Sequence, residues 1–200
     1  RIHKSGCHNK FSMRNSGATQ LWHEILAVID LSNVMSPIET ANGLPNACYV
    51  DDAMFTHERD TLFRDSWAAI GFGKDILRPG MVKPVDFLGT PLLMVRNAEG
   101  KINVFENVCR HRGMILVDQP RQLRGPITCP YHAWTYDLDG QLRRTPHVGG
   151  SGIDSHKSVS HCDLPLISVR AQVWRDIVFV NIGGDAPAFE TSAGDLIERW

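Results

Sequence analysis

Two short stretches of the chain each combine one cysteine with one histidine. Cys109 and His111 lie two residues apart, Cys129 and His132 lie three apart, and seventeen residues separate the two pairs. Thiolate sulfur and imidazole nitrogen are the protein ligands of zinc ions and of some iron–sulfur clusters. Each pair stands in a tight loop after a β run, so two converging loops would present four metal ligands at one site.

These ligands fit two kinds of metal site. One tetrahedral Zn²⁺ can take two sulfur and two nitrogen ligands, but zinc fingers usually group Cys with Cys and His with His. Here each loop offers one of each, which suits a two-iron cluster with both thiolates on one iron and both imidazoles on the other. Neutral imidazoles remove negative charge, which raises the reduction potential above that of an all-cysteine cluster.

The motifs around the four residues resemble those of a known family. CRHRG, which begins at Cys109, and CPYHAW, which begins at Cys129, are similar to the cluster-binding loops of Rieske non-haem iron oxygenases, the aromatic ring-hydroxylating dioxygenase-like α subunits. Ala133 stands where the family usually has glycine. LPNACY through ERDTLFRDSW resembles the family's lead-in, and VWRDIVFVNI resembles the closing strand pair of its Rieske domain. The resemblance covers about residues 44–183.

The resemblance implies a Rieske [2Fe–2S] cluster, with four residues as both cofactor ligands and metal ligands: Cys109, His111, Cys129 and His132. Cytochrome bc-type Rieske proteins carry an extra cysteine in each loop, and the two form a disulfide. Met114 and Tyr131 occupy those positions here. The oxygenase or ferredoxin branch is therefore implied.

The resemblance also implies partners. A reductase or ferredoxin would deliver single electrons, which pass to a mononuclear Fe(II) for O₂- and NAD(P)H-dependent hydroxylation or oxidative demethylation, usually in a homotrimer. The family binds that Fe(II) through D-x-x-H-x₄-H, and no such stretch occurs in this sequence. We therefore expect the catalytic residues in a domain beyond Trp200 and no catalytic residue in this chain. A stand-alone Rieske ferredoxin-like carrier without catalysis is the alternative.

The composition narrows the classes of function. Hydrophobic residues are 42% and charged residues 22% of the 200, which is ordinary for a globular protein. The net charge of −1 does not indicate nucleic acid or an anionic membrane as a partner. No run of about 18 apolar residues predicts a membrane span. Five cysteines without a secretory signal indicate a reducing cytoplasm rather than a disulfide scaffold.

Short β runs with frequent turns predict a mainly β fold, a small antiparallel sandwich or barrel with two cluster loops, preceded by one or more helices. Gly100 predicts one hairpin turn, Asp139-Gly140 predicts a two-residue hairpin turn, and a bend is expected near Arg175-Asp176. We expect four segments. Residues 1–35 form a leader, poorly ordered or partly helical, and residues 36–66 form a linker and lead-in helix. Residues 67–183 form the Rieske domain, with its cluster part at about 105–148, and residues 184–200 begin a truncated catalytic domain.

Several side chains outside the ligand set invite specific expectations. Asp51 and Asp52 can cap the lead-in helix, whose apolar residues recur about two turns apart and predict one apolar face. These apolar residues are Met54, Phe55, Leu62 and Phe63. Tyr131, Trp134 and Tyr136 either pack round the cluster, where a hydroxyl could bond a sulfur, or form ordinary core. Arg110 and Arg112 either pair with a partner's carboxylates or face solvent.

Overall fold

The computed structural model of the chain describes residues 31–200. The predicted leader over residues 1–35 therefore lies outside the described residues, except for its last five positions. Within the described range, no helix has both the length and the apolar character needed to cross a bilayer.

Antiparallel β-sheet dominates the described chain, which confirms the predicted fold class. One sheet has seven strands. In spatial order they are β1 (Ala68–Phe72), β10 (Ile177–Asn181), β9 (Ser168–Trp174), β4 (Ile102–Glu106), β3 (Thr90–Arg96), β2 (Met81–Phe87) and β5 (Arg121–Gln122). The second sheet has three short strands, which are β6 (Ile127–Thr128), β7 (Thr135–Tyr136) and β8 (Leu142–Arg144).

The interior strand β3 separates two hydrophobic cores. Side chains alternate across a strand, so Leu93 and Val95 face the core that also contains Cys109 and Cys129. Leu92, Met94 and their neighbours pack into a second core with β10 on the other side of the sheet. Burial on both faces explains why the sequence of β3 is a continuous apolar run rather than an alternating one.

Three hairpin turns were predicted, and all three connect antiparallel strands. Gly100 lies in the β3–β4 turn at φ +83°, and Arg175 and Asp176 form the two-residue β9–β10 turn at φ +48° and +68°. The prediction of a two-residue β7–β8 turn is wrong in length, because the Asp137 N–H donates to Gln141 O and leaves three residues in the turn. The Asp137 carboxylate also accepts the Gln141 N–H, which holds this wider turn.

The lead-in segment is helical, as predicted, but several of its apolar side chains are exposed. It comprises α1 (Ala47–Val50), α2 (Asp52–Glu58) and a π-helical turn (Arg59–Phe63). Asp51 caps α2, and its carboxylate accepts the N–H groups of Ala53 and Met54. Phe55 and Leu62 remain 48% and 57% exposed, so the described residues cover the predicted apolar face only in part. A regular 3.6-residue pattern does not continue through the wider π turn.

The remaining elements are short. A 3-10 turn (Gly73–Ile76) follows β1, and another (His161–Asp163) precedes β9. Two helices, α3 (Phe189–Ser192) and α4 (Gly194–Arg199), follow β10. Phe189 of α3 packs edge-on against Trp67 at a ring-centroid distance of 5.5 Å, so this segment is tied to the start of β1.

Candidate metal centre

Two loops with nearly the same backbone geometry carry the predicted ligands. The first follows β4, where the Cys109 N–H donates to Met114 O at 2.8 Å. The second joins β6 to β7, where the Cys129 N–H donates to Trp134 O at 2.8 Å. In each loop the N–H four residues after the cysteine donates back to the cysteine carbonyl, at 3.0 and 3.1 Å. Each loop is thus a compact turn that begins at its cysteine.

The residue that donates back to the cysteine carbonyl adopts a left-handed conformation in both loops. Gly113 has φ +71° in the first loop, and Ala133 has φ +55° in the second. Glycine adopts this conformation at no steric cost, whereas a residue with a Cβ adopts it at a cost. Ala133 therefore adopts the same left-handed turn as Gly113, but with some backbone strain.

The structure places the two predicted cysteine ligands together and the two predicted histidine ligands together. The rings of His111 and His132 lie with their centroids 4.8 Å apart. Cys109 and Cys129 are 2% and 3% exposed, and their thiols are close enough to interact with each other. Two sulfurs therefore lie side by side in the core, and two imidazoles lie side by side nearer the surface.

Both imidazoles have a free ligating atom. Nδ1 of His111 and Nδ1 of His132 are buried and have no hydrogen-bond partner. A buried polar atom without a partner is unfavourable, so each nitrogen is suited to bind a metal. Across residues 31–200, no three or more His, Cys, Asp or Glu side chains are grouped as one metal ion would need. A two-iron cluster does not need such a group, because each of its irons takes only two protein ligands.

The protonation of the ligands follows from their burial. Burial raises the pKa of the Cys109 thiol, although a hydrogen bond from the Tyr136 hydroxyl opposes the increase. Contact with Cys129 adds to it. Burial also lowers the pKa of His111, and the neighbouring His132 and Arg112 side chains act in the same direction. A neutral imidazole is the form that binds metal.

Aromatic side chains enclose the two imidazoles. The buried ring of Trp134 stacks on His111 at a centroid distance of 4.6 Å and an angle of 9°. Tyr131 lies over His132 at 3.7 Å, and the Tyr131 side chain is 59% exposed. Trp134 is therefore a buried wall of the site, whereas Tyr131 covers it from the solvent side.

Tyr136 connects the second loop to the first. Its hydroxyl accepts the Arg110 N–H at 3.0 Å and lies 3.4 Å from Cys109 Sγ. Burial, together with the contact to Cys109, raises the pKa of Tyr136 far above its usual range. The phenol is therefore protonated and can donate a hydrogen bond to a cysteine sulfur that has lost its own proton.

Asn107 is a residue of the site that the sequence analysis missed. Its buried side chain donates to Val117 O at 2.6 Å and accepts the Val117 N–H at 3.0 Å. Asn107 precedes the first loop and Val117 follows it. These two bonds therefore hold the two ends of the loop together. The sequence carries no local signal for this role, because the partner Val117 is ten residues away and the burial of Asn107 becomes visible only in the fold.

Comparison with known proteins agrees with this geometry. A family model described as the Rieske [2Fe–2S] domain matches residues 66–161. Residues 66–161 form a Rieske [2Fe–2S] domain. The cofactor expected for this part of the chain is therefore a [2Fe–2S] cluster, and the two ligand-bearing loops both lie inside the matched range.

The relatives of this Rieske domain are oxygenase subunits, as the motifs implied. The carnitine monooxygenase oxygenase subunit of Acinetobacter pittii is 28% identical over 158 residues, which are 78% of this chain and 40% of that subunit. The chloroplastic choline monooxygenase of Spinacia oleracea is 29% identical over 168 residues, 80% of this chain and 37% of that protein. The chain spans about two fifths of the length of these curated relatives.

Solved structures give the same picture. The apo form of a quaternary ammonium Rieske monooxygenase matches with a TM-score of 0.70 at 26% identity, over 78% of this chain and 44% of that one. Naphthalene 1,2-dioxygenase with bound indole matches with a TM-score of 0.64 at 27% identity, over 74% and 32%. Monooxygenases and dioxygenases thus share this domain.

Proposed function

We propose that four residues of this chain hold the [2Fe–2S] cluster: Cys109, His111, Cys129 and His132. One observation carries the proposal: two loops of the same geometry place two thiols together and two imidazoles together. The thiols would bind one iron and the Nδ1 atoms would bind the other. When bound, the cluster accepts and releases one electron at a time.

The residues around the ligands have separate tasks in this proposal. Tyr136 donates a hydrogen bond to a ligand sulfur, which favours the more negative, reduced state. Trp134 excludes water from His111, while Tyr131, which is exposed, covers His132 on the solvent side. Arg110 and Arg112 are exposed beside the loop, where they can attract carboxylates of a partner protein.

We propose further that this domain serves a terminal oxygenase component. It would receive electrons from a reductase or ferredoxin and pass them to a mononuclear Fe(II) site supplied outside these residues, within a homotrimer. The names of the curated relatives, which act on carnitine, choline and glycine betaine, support a quaternary ammonium substrate for O₂-dependent hydroxylation or oxidative demethylation. The unpaired thiols of Cys48 and Cys162 are compatible with a cytoplasmic location.

The ligand proposal is tested by analysis of the purified chain after iron and sulfide reconstitution. We expect two irons and two acid-labile sulfides per chain and a rhombic EPR signal after reduction. Cys109→Ser removes one of only two ligands on its iron and should abolish the signal. The matched control is Cys162→Ser, because Cys162 is exposed and far in sequence from both loops. One zinc per chain without labile sulfide would refute the proposal.

The oxygenase proposal needs a separate experiment with a protein that also contains a mononuclear iron site. We expect O₂ uptake that depends on carnitine, glycine betaine or choline and on a reductase. Uptake with naphthalene alone would refute the substrate class. A complete native protein that accepts electrons from a reductase but never consumes O₂ would favour the alternative, a ferredoxin-like carrier.

A further inference from the structure

A turn outside the two cluster loops joins the two sheets. The β7–β8 turn, residues 138–140, rests on strand β4 of the seven-stranded sheet. The side-chain amide of Asn103 in β4 donates to Asp139 Oδ1 at 2.9 Å and to Leu138 O at 3.1 Å. A second amide, from the buried Asn97, donates to the same Asp139 oxygen at 2.8 Å. One carboxylate oxygen thus accepts two amides from the larger sheet.

Close packing strengthens this contact. A Cβ added at Gly140 would lie 2.6 Å from the ring of Phe105, so only glycine allows the turn to approach β4 this closely. The Gly140 carbonyl also accepts the Leu166 N–H at 2.8 Å. The turn is therefore held by hydrogen bonds on one side and by contact with an aromatic ring on the other.

The same two strands meet again at the cluster end. Asn103 and Phe105 lie on the same side of β4, and the chain continues from β4 to Cys109. The hydroxyl of Tyr136 in β7 contacts Cys109. Residue 136 thus meets residue 109, while residues 138–140 meet residues 103 and 105. Residues 136 and 139 are three positions apart, and an extended chain rises about 3.3 Å per residue, so the two contacts are separated by roughly 10 Å on the β7 side.

We infer that Asp139, with Asn97 and Asn103, is a clamp that sets the spacing between the two ligand pairs. The first pair continues β4, and the second pair precedes β7, so any movement of β7 relative to β4 changes the distance between the loops. These three side chains do not touch the cluster and act as positioning residues. The inference rests on the proposed ligands.

The clamp predicts a cluster effect from a remote substitution. Asp139→Ala removes the acceptor of two amides, whereas Asp139→Asn keeps an oxygen at the same place and is the matched control. Hydrogen bonds to a charged group are among the stronger ones in proteins, and losing two of them should let β7 move relative to β4. We therefore expect a chelator to remove the cluster about tenfold faster or more. We also expect shifted or broadened EPR g values for Asp139→Ala and wild-type values for Asp139→Asn.

The measurement uses the reconstituted chain and records chelator kinetics, EPR and the melting temperature. A lower melting temperature with unchanged g values and chelator kinetics would overturn the inference, because it would assign the clamp a structural role only. If Asp139→Ala does not fold, Asn103→Ala, which removes only one donor, must show the same changes to a smaller degree. A wild-type chain without a cluster would instead refute the proposed ligands.

Discussion

The hydroxyl oxygen of Tyr136 lies 3.4 Å from Sγ of Cys109, and it simultaneously accepts the backbone N–H of Arg110. The accepted bond orients the phenol, because its proton is left to point toward the sulfur. A hydrogen bond to a ligand sulfur stabilises the extra negative charge of a reduced cluster. Tyr136, which follows the second loop, therefore contributes to the reduction potential of the cluster through the cysteine of the first loop.

Tyr136→Phe should lower the reduction potential of the cluster. If this hydrogen bond is stronger to the reduced than to the oxidised cluster by about 1 kcal/mol, its loss corresponds to roughly 40 mV for a one-electron couple. A redox titration followed by EPR measures the shift. Tyr131→Phe is the control, because Tyr131 lies over His132 rather than at a sulfur. Equal potentials for the wild type and Tyr136→Phe would contradict the assigned hydrogen bond.

Much of this arrangement is visible in the sequence, because it depends on local spacing. Each loop is closed by bonds within six residues, so the motif that begins at Cys109 or Cys129 also encodes the turn. The hairpin at Gly100 is local for the same reason. The two alternatives for Trp134 and Tyr136 are not exclusive, because both side chains are buried in the core and both also contact a predicted ligand.

Other features could not be read from spacing, because they depend on distant partners. Asn107 meets Val117, and Asp139 meets Asn97, across gaps that no local pattern describes. The length of the β7–β8 turn depends on the Asp137 side chain, which an Asp-Gly signal ignores. The π turn at Arg59–Phe63 is likewise a departure that a 3.6-residue pattern cannot anticipate.

The left-handed residues of the two loops give a paired stability prediction. Ala133→Gly relieves the Cβ strain at φ +55°, but it also adds conformational freedom to the unfolded chain. We therefore expect the free energy of unfolding to rise by between zero and about 1 kcal/mol. Gly113→Ala should destabilise the fold by about 1–2 kcal/mol. An added Cβ at Gly113 meets no atom within 4 Å, so backbone strain alone is tested.

Chemical denaturation of both loop variants measures these free energies of unfolding. The absorbance of the reconstituted cluster serves as the control for intact ligands. If Gly113→Ala proves as stable as the wild type, the left-handed turn of the first loop is not a constraint on the residue there.

The Asp75–Lys83 ion pair predicts a pH-dependent stability. Lys83 Nζ donates to Asp75 Oδ2 at 2.7 Å, and this bond lowers the pKa of the Asp75 carboxyl. A lowered folded-state pKa stabilises the fold above the unfolded pKa of about 3.9, and this contribution is lost as pH falls through the folded pKa. Because both side chains are partly exposed, the pair contributes at most about 1 kcal/mol.

A double-mutant cycle with Asp75→Asn and Lys83→Gln isolates this contribution. Urea unfolding at pH 7 should give a favourable coupling energy, and the same cycle at about pH 3 should give a smaller one. A coupling energy that is zero at pH 7, or that grows as the pH falls, would contradict the ion pair.

Removal of the cluster should destabilise the two loops more than the sheets. Without iron, Nδ1 of His111 and Nδ1 of His132 are buried without a hydrogen-bond partner, and each such atom costs about 1–3 kcal/mol. We therefore expect the melting temperature to fall by roughly 5 °C or more after chelation. Hydrogen exchange should accelerate at the Gly113 and Ala133 amides, whereas the β3 amide of Leu93 serves as an internal control. Equal acceleration at Leu93 would mean that the cluster supports the whole domain rather than its loops.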